Sequence, residues 1–197
     1  MYRNYIKRFL DIILSLIGLI ATSIIFIPIA ILIYLEDKGS IFYNANRLGE
    51  NGKVFKMYKF RSMKVNSPDI RQKDGSTFNS DDDPRITKIG KIIRKTSIDE
   101  LPQLLNVLKG EMSLIGPRPD LPEHIDMYVG NENRKLEVKP GLSGYSQAYF
   151  RNSIEWKERL KNDVYYVDNI SFMLDLKILI KTITSVLKSE GIYVDKK

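Results

Sequence analysis

Cysteine is absent from the 197 residues and histidine occurs once, at His124. The first absence excludes disulfides, thiolate zinc sites and thiol nucleophiles. The second leaves a Ser-His-Asp triad or a multi-histidine metal centre with a single ring to build on. Gly141-Leu142-Ser143-Gly144 does not have the spacing of the hydrolase nucleophile elbow. The chain also lacks a Walker A loop and a dinucleotide fingerprint. Polar chemistry is therefore left to carboxylates, Lys, Arg, Tyr, Ser or a cation held by hard oxygen ligands.

What is present begins with charge and length. A formal net charge of +7 admits nucleic acid, an anionic membrane surface or phosphorylated small molecules as partners. Residues 12–35 carry no charge and contain sixteen Ile, Leu or Phe, a run of about 36 Å if helical. Such a run favours insertion into a lipid bilayer, and it exceeds the apolar region of a signal peptide with no small-residue cleavage site behind it. Arg3, Lys7 and Arg8 precede it, while Lys38, Arg47, Lys53, Lys56 and Lys59 follow. Both flanks read as cytoplasmic under the positive-inside rule. A re-entrant helix hairpin, entering and leaving on one face, satisfies both. Pro28 supplies its break by removing the hydrogen bond to Ile24, a loss that the Thr22 or Ser23 hydroxyls are placed to offset. An ordinary kinked spanning helix is the other reading.

Downstream, residues 41–44 and 54–60 read as strands around a turn at 49–52. Lys53, Lys56, Lys59, Arg61 and Lys64 are interleaved with aromatics there, which suits single-stranded nucleic acid or a phosphate platform beside a membrane. Residues 66–83 read as a polar surface loop ending in Asp81-Asp82-Asp83, a solvated run or a place to collect a divalent cation. Residues 85–95 have the spacing of an amphipathic basic helix.

The stretch from Thr96 to Pro119 is the centre of the chain. It sets Asp99 and Glu100 at a helix start, with Asp99 or its neighbour as the cap, because a start at Ser97 would push Pro102 too deep into the helix. Leu101, Leu104, Leu105 and Leu108 line the apolar face of that helix and Gly110 stops it. An ionised carboxylate at such a start can serve as nucleophile or metal ligand, or simply as a cap. Arg118, held between Pro117 and Pro119, is shaped to meet a phosphate or is simply an exposed loop charge.

Residues 121–133 carry little signal, and His124 reads as a surface residue. Residues 138–152, with Gln147 and Arg151, read as a loop that approaches a ligand closely or as a glycine turn into a strand. Residues 156–166 and 171–189 read as helices. The second has a stripe at Phe172, Leu176, Leu179, Ile183, Val186 and Leu187, to be buried in the core or dipped among lipid headgroups.

Several motifs together resemble one family. YKFRSM at 58–63, the long run from Asp83 to Pro119, KPGLSGYSQ at 139–147 and FMLDLKI at 172–178 resemble the bacterial sugar transferases, the small monotopic phosphoglycosyl transferases of minimal length. The resemblance covers nearly the whole chain, in order. It departs at the anchor, where Ser23 is followed by Ile24 instead of proline.

The resemblance implies an α+β, mostly helical fold. Residues 1–38 would form a re-entrant membrane anchor, and residues 39–197 a cytoplasmic catalytic domain with a few strands and amphipathic interfacial helices. It implies transfer of a phosphosugar from a UDP-sugar to polyprenyl phosphate with release of UMP, at the cytoplasmic face of a bacterial inner membrane, as the first membrane step of glycan assembly. Asp99 would be the covalent nucleophile, and Glu100 with Asp99 would hold Mg²⁺. Lys59, Arg94, Arg118, Gln147, Arg151 and Asp175 would contact substrate. For Asp175 a structural pairing with Lys177 or an arginine is an equal alternative. No nucleic acid is expected, and a homo-oligomer is compatible with the sequence. The competing readings are a membrane-anchored nucleic-acid-binding protein and a non-catalytic scaffold.

Overall fold

A computed structural model describes residues 1–71, 80, 83–151 and 153–188. The chain opens with a π-helical turn, Tyr2–Ile6, that runs into α1, Lys7–Asp37. This is the one helix among the described residues long and apolar enough to cross a membrane. It continues through Pro28. The Thr22 and Ser23 hydroxyls donate to the carbonyls of Gly18 and Ile20, so they do not replace the bond that Pro28 removes at Ile24. Side-chain exposure divides α1 lengthwise. Asp11, Ser15 and Ile33 are buried, and Gly18, Thr22, Phe26, Ile29 and Asp37 on the same stripe are half-buried. Phe9, Ile13, Ile17, Ile20, Ile24, Ile27, Ile31 and Leu35 are exposed along the opposite side. Both sets recur at the helical period, so α1 offers one face to the protein and an apolar face to its surroundings.

The domain holds α1 along its length. Arg8 donates to the Val107 and Leu108 carbonyls at 2.6 and 2.8 Å, and Asp11 accepts from Ser113 Oγ and the Leu114 amide. Further along, Phe26 meets Phe60 edge to face with centroids 5.1 Å apart. At the far end Asp37 pairs with Arg61 at 2.5 Å.

Two strands follow, β1 (Phe42–Leu48) and β2 (Val54–Phe60), paired antiparallel. The expected hairpin is present, with a first strand that runs on to Leu48. Its turn uses left-handed backbone at Asn51 and Gly52 (φ 57° and 74°). Phe55 and Met57 pack on Val107 and Met112. The basic residues of this segment do not form a free row: Lys59 is paired with Glu100 and Arg61 is buried against Asp37.

The amphipathic helix is α2, Lys88–Lys95, shorter than expected because Thr87 caps it by accepting from the Gly90 amide. Glu36, at the end of α1, accepts from the Lys88 and Ile89 amides. A carboxylate of one helix thus neutralises the exposed amides of another. Ile93 is fully buried, while Ile92 faces outward. Asp81 and Asp82 lie outside the described residues, and Asp83 is buried and paired with Arg85 at 2.6 Å. Asp83 is therefore committed to an internal ion pair instead of standing open to a cation.

Beyond α2 the chain makes a 3₁₀ turn, Ile98–Glu100, and then α3, Gln103–Lys109. The expected cap is displaced. Ser97 adopts left-handed backbone (φ 58°), the acidic pair occupies the separate turn, and Pro102 stands at the N-cap of α3. Gly110 ends α3 as expected, with φ 82°. The buried face is Gln103, Leu104, Asn106 and Val107, while Leu105 is exposed, because Asn106 turns inward to bond the backbone of β2.

A short parallel pair, β3 (Ser113–Ile115) and β4 (Gly141–Ser143), brings the loop after α3 against the glycine segment. A Cβ at Gly144 would lie 2.1 Å from the Gly116 carbonyl oxygen, so the two backbones meet where only glycine fits. Then come α4 (Tyr145–Tyr149), α5 (Trp156–Asp168) and α6 (Phe172–Lys188). The packed side of α6 is Asp175, Ile178 and Ser185, and Phe172 and Ile183 of the expected core stripe are exposed together with Met173 and Ile180. The helix rotates this way because Asp175 is drawn inward by Tyr166, Tyr2 and Lys7. His124 is buried as well, its ring 4.7 Å from that of Trp156, instead of lying on the surface.

Candidate active site

The 3₁₀ turn at Ile98–Glu100 is the point where β2, α2 and the loop after β3 converge. Asp99 is 8% exposed. Its carboxylate accepts no hydrogen bond from any described residue. Glu100 is held: Lys59 Nζ lies 2.6 Å from its Oε1 and Arg118 Nη1 3.8 Å from the same atom. Lys59 comes from the end of β2, and Arg118 from the proline-bracketed loop. Arg94, from the last turn of α2, donates Nε to Ser62 Oγ at 2.8 Å and lies close enough to favour the ionised form of Asp99. Arg151, held in left-handed backbone at φ 47°, favours ionised Glu100.

The two neighbouring carboxyls are driven apart. Burial raises Asp99 to about 6; Lys59, Arg94 and Arg118 oppose that rise and the Glu100 charge adds to it. Glu100 is pulled below the ordinary range: its own burial is outweighed by Lys59 and Arg118 together with the Lys59 hydrogen bond. One partner is firmly ionised, and the other is an ionisable carboxylate with unused lone pairs. Lys59, Arg94 and Arg118 bear on Asp99, and Lys59, Arg118 and Arg151 on Glu100, a cationic surround suited to a polyphosphate.

Gln147, in α4, keeps both amide atoms buried and without hydrogen-bond partners among the described residues, beside the Gly144 to Gly116 contact. A buried amide with nothing to bond is unfavourable until a ligand meets it. The contacts of Asp175 lie elsewhere: it accepts from Tyr2 at 2.6 Å and Tyr166 at 2.7 Å, and pairs with Lys7 at 2.6 Å. These tie the start of α1 to α5 and α6.

A second charged cluster, which the sequence does not announce, stands behind Arg118. Lys135, 4% exposed, places Nζ 2.7 Å from both Asp120 Oδ2 and Asp163 Oδ2 and donates to the Arg118 carbonyl at 3.0 Å. Tyr128 and Trp156 also donate to Asp120. The partners are far apart in sequence and have no shared spacing, so no motif could have revealed them.

The chain is similar to known proteins along most of its length. A family model described as bacterial sugar transferase matches residues 2–189. The chain is 46% identical over 187 residues to the sugar transferase EpsL of Bacillus subtilis, covering 95% of this chain and 90% of EpsL. It is 45% identical over 193 residues to the galactosyl transferase CpsE of Streptococcus agalactiae, covering 94% of this chain and 43% of that relative. It is also similar to the UDP-N-acetylgalactosamine-undecaprenyl-phosphate N-acetylgalactosaminephosphotransferase of Aeromonas hydrophila, at 39% identity over 197 residues, 95% of this chain and 45% of the other. The chain thus spans most of one relative and less than half the length of the other two.

Proposed function

The chain belongs to the bacterial sugar transferase family, and we propose that it moves a phosphosugar from a UDP-sugar to a polyprenyl phosphate, releasing UMP. The observation that carries this reading is the buried Asp99 carboxylate, free of hydrogen bonds from described residues, beside Glu100 and under the influence of Lys59, Arg94 and Arg118. In the first step an Asp99 oxygen attacks the sugar-bearing phosphorus. The bridging P–O bond breaks, its electron pair leaves with UMP, and a phosphosugar ester of Asp99 remains. In the second step an oxygen of the polyprenyl phosphate attacks the same phosphorus, giving the polyprenyl diphosphosugar and restoring the carboxylate. Lys59, Arg94, Arg118 and Arg151 orient the diphosphate and offset its charge. The named substrates of the relatives differ in their sugar, so the sugar is left unassigned here.

Mg²⁺ fits this site. Glu100 Oε1 is held by Lys59, whereas Oε2 accepts nothing from a described residue, and Asp99 stands beside it. Two hard oxygen donors suit an ion that takes one or two carboxylates and completes its shell with phosphate and water. When bound, it would supply neutralisation of charge on the diphosphate.

The same contacts support a topology. Arg8 and Asp11 near one end of α1, Phe26 in its middle and Asp37 at the other end all bind a single domain. A helix crossing a bilayer cannot keep both ends on a body that lies on one side. We therefore read α1 as re-entrant, its exposed Ile and Leu stripe toward lipid and the domain on the cytoplasmic face of the bacterial inner membrane. A cysteine introduced near Met1 should resist an impermeant thiol reagent in intact cells and react after permeabilisation. Labelling in intact cells would favour the spanning alternative.

The central test of the chemistry mixes the purified chain with UDP-sugars and Mg²⁺ in the absence of acceptor. The expected result is stoichiometric UMP release with one of the sugars and a mass increase localised to Asp99. Labelling at another residue would refute the nucleophile assignment, and no UMP release across a broad UDP-sugar panel would refute the reaction.

A further inference from the structure

Residues directly opposed in an antiparallel pair stand on the same face. Tyr43 is opposite Lys59, Ala45 opposite Met57 and Arg47 opposite Phe55. Arg47 therefore shares a hairpin face with Lys59, separated along the ladder by about 13 Å. The loop carrying Arg118 closes the interval. Arg118 reaches toward Glu100 on one side and acts electrostatically on Arg47 on the other. The Leu48 amide donates to the Asp120 carbonyl at 2.9 Å, stitching β1 to that loop. Lys59, Arg118 and Arg47 thus form a row of cations leading away from the acidic pair.

Arg47 ends the row with little to satisfy it. It is half-buried, and among the described residues its side chain makes one hydrogen bond, to the adjacent Asn46 carbonyl at 3.1 Å. The nearby acids are engaged elsewhere. Asp120 is held by Lys135, Tyr128 and Trp156, and Glu123 and Asp69 face Arg71. Burial and the adjacent Arg118 both pull the Arg47 pKa below its ordinary value. Arg47 on β1 and Arg118 on the loop stitched to it repel one another unless an anion stands between them, and guanidinium forks match a phosphate.

We propose that Arg47 and Arg118 hold the phosphate of the departing nucleoside monophosphate, a subsite that deepens and rests on the transfer reading above. As the Asp99 oxygen bonds to phosphorus and the bridging bond breaks, negative charge grows on the leaving phosphate. Arg47 and Arg118 stabilise that charge. The phosphate of the lipid acceptor is the other source of the same chemistry, and the hairpin's orientation argues against it. Its Phe60 end packs on Phe26 and Ile33 of the apolar helix, whereas Arg47 stands toward the Leu48 and Val54 end.

The test measures equilibrium binding of UMP, uridine and a short-chain polyprenyl phosphate to the full chain in lipid nanodiscs, for wild type, Arg47→Gln and Arg47→Lys. UMP affinity should fall about tenfold or more in Arg47→Gln and partly in Arg47→Lys, which keeps the charge and loses the fork. Uridine and polyprenyl phosphate should bind as before. Unchanged UMP affinity overturns the subsite, as does a loss confined to polyprenyl phosphate. If Arg47→Gln fails to fold by thermal unfolding, Arg47→Lys decides on the same criterion. Asp99 labelling keeps the two readings separate. Absent labelling with Arg47-dependent UMP binding removes the transfer reading and keeps the anion site; labelling with Arg47-independent binding does the reverse.

Discussion

Asp99→Asn should abolish transfer, by about 10⁴-fold or more, and should at the same time make the protein more stable. The first effect follows from the chemistry, because an amide cannot form the acyl phosphate and no Cys or second His is at hand to replace it. The second follows from burial. Asp99 is raised from 3.8 to about 6 in the folded chain, chiefly because its charge has been taken out of water. Between those values the folded state binds more protons than the unfolded one, so this group's contribution to stability declines as pH rises through the window and is fully lost above it. At neutral pH an uncharged, isosteric amide removes that penalty, a gain of roughly 2–3 kcal/mol from a shift of this size. Thermal unfolding at pH 7.5 should show a higher midpoint for the variant, with the difference shrinking as pH falls from about 6 towards 4. The labelling rate of the wild type should fall as pH drops through about 6, because the nucleophile must be ionised. An inactive variant with no stability gain would mean that the burial of Asp99 does not carry the energetic cost assigned to it; an active one would end its role as nucleophile.

Lys135→Met should be the most damaging single change away from the reacting groups. It leaves Asp120 and Asp163 facing each other in the interior without their common ammonium, and strips a donor from the Arg118 carbonyl. Removing one partner from a buried ion pair costs about 3–5 kcal/mol, or a fall in unfolding midpoint on the order of 10 °C for a chain of this size. Asp163 already sits near 6 through burial, moderated by Lys135; without the lysine it should rise further and be protonated at neutral pH. The double variant Lys135→Met/Asp163→Asn should therefore recover part of the loss. Recovery would locate the damage in charge, whereas an unchanged deficit would locate it in packing. In whatever fraction folds, the Arg118 loop loses a support, so the specific rate should fall as well.

Some of this was legible in residue order because it depends on local rules. Gly110 ends a helix where the backbone turns left-handed, and the hairpin turn at 49–52 is set by Gly and Asn. The apolar run must be helical to satisfy its own backbone in lipid. The resemblance implied Asp99 and Glu100 as the acids and Lys59, Arg94, Arg118 and Arg151 as phosphate contacts; in the structure Lys59, Arg94 and Arg118 bear on Asp99, and Lys59, Arg118 and Arg151 on Glu100. Other features were hidden because they depend on partners distant in sequence. The spacing of residues 171–189 allowed several inward faces, and Tyr2, Lys7 and Tyr166 selected the one through Asp175. Asp99 read as a helix cap, yet left-handed Ser97 gives it a turn of its own. His124 looked superficial until Trp156 and Asp120 enclosed it.

By itself, then, the sequence determined the chemical inventory: carboxylates and cations without thiols, one imidazole, and an apolar helix long enough to reach into a membrane. The tertiary structure decided what each group does with that inventory. It buried Asp99 while tying Glu100 to Lys59, which separates two adjacent carboxylates into one whose pKa is raised by burial and one held as a fixed anion. It also bound both ends of the apolar helix to one domain. The physical reason is the same in each case. Composition and spacing fix which charges and apolar surfaces exist, whereas desolvation and pairing energies depend on what surrounds each group after the chain has folded.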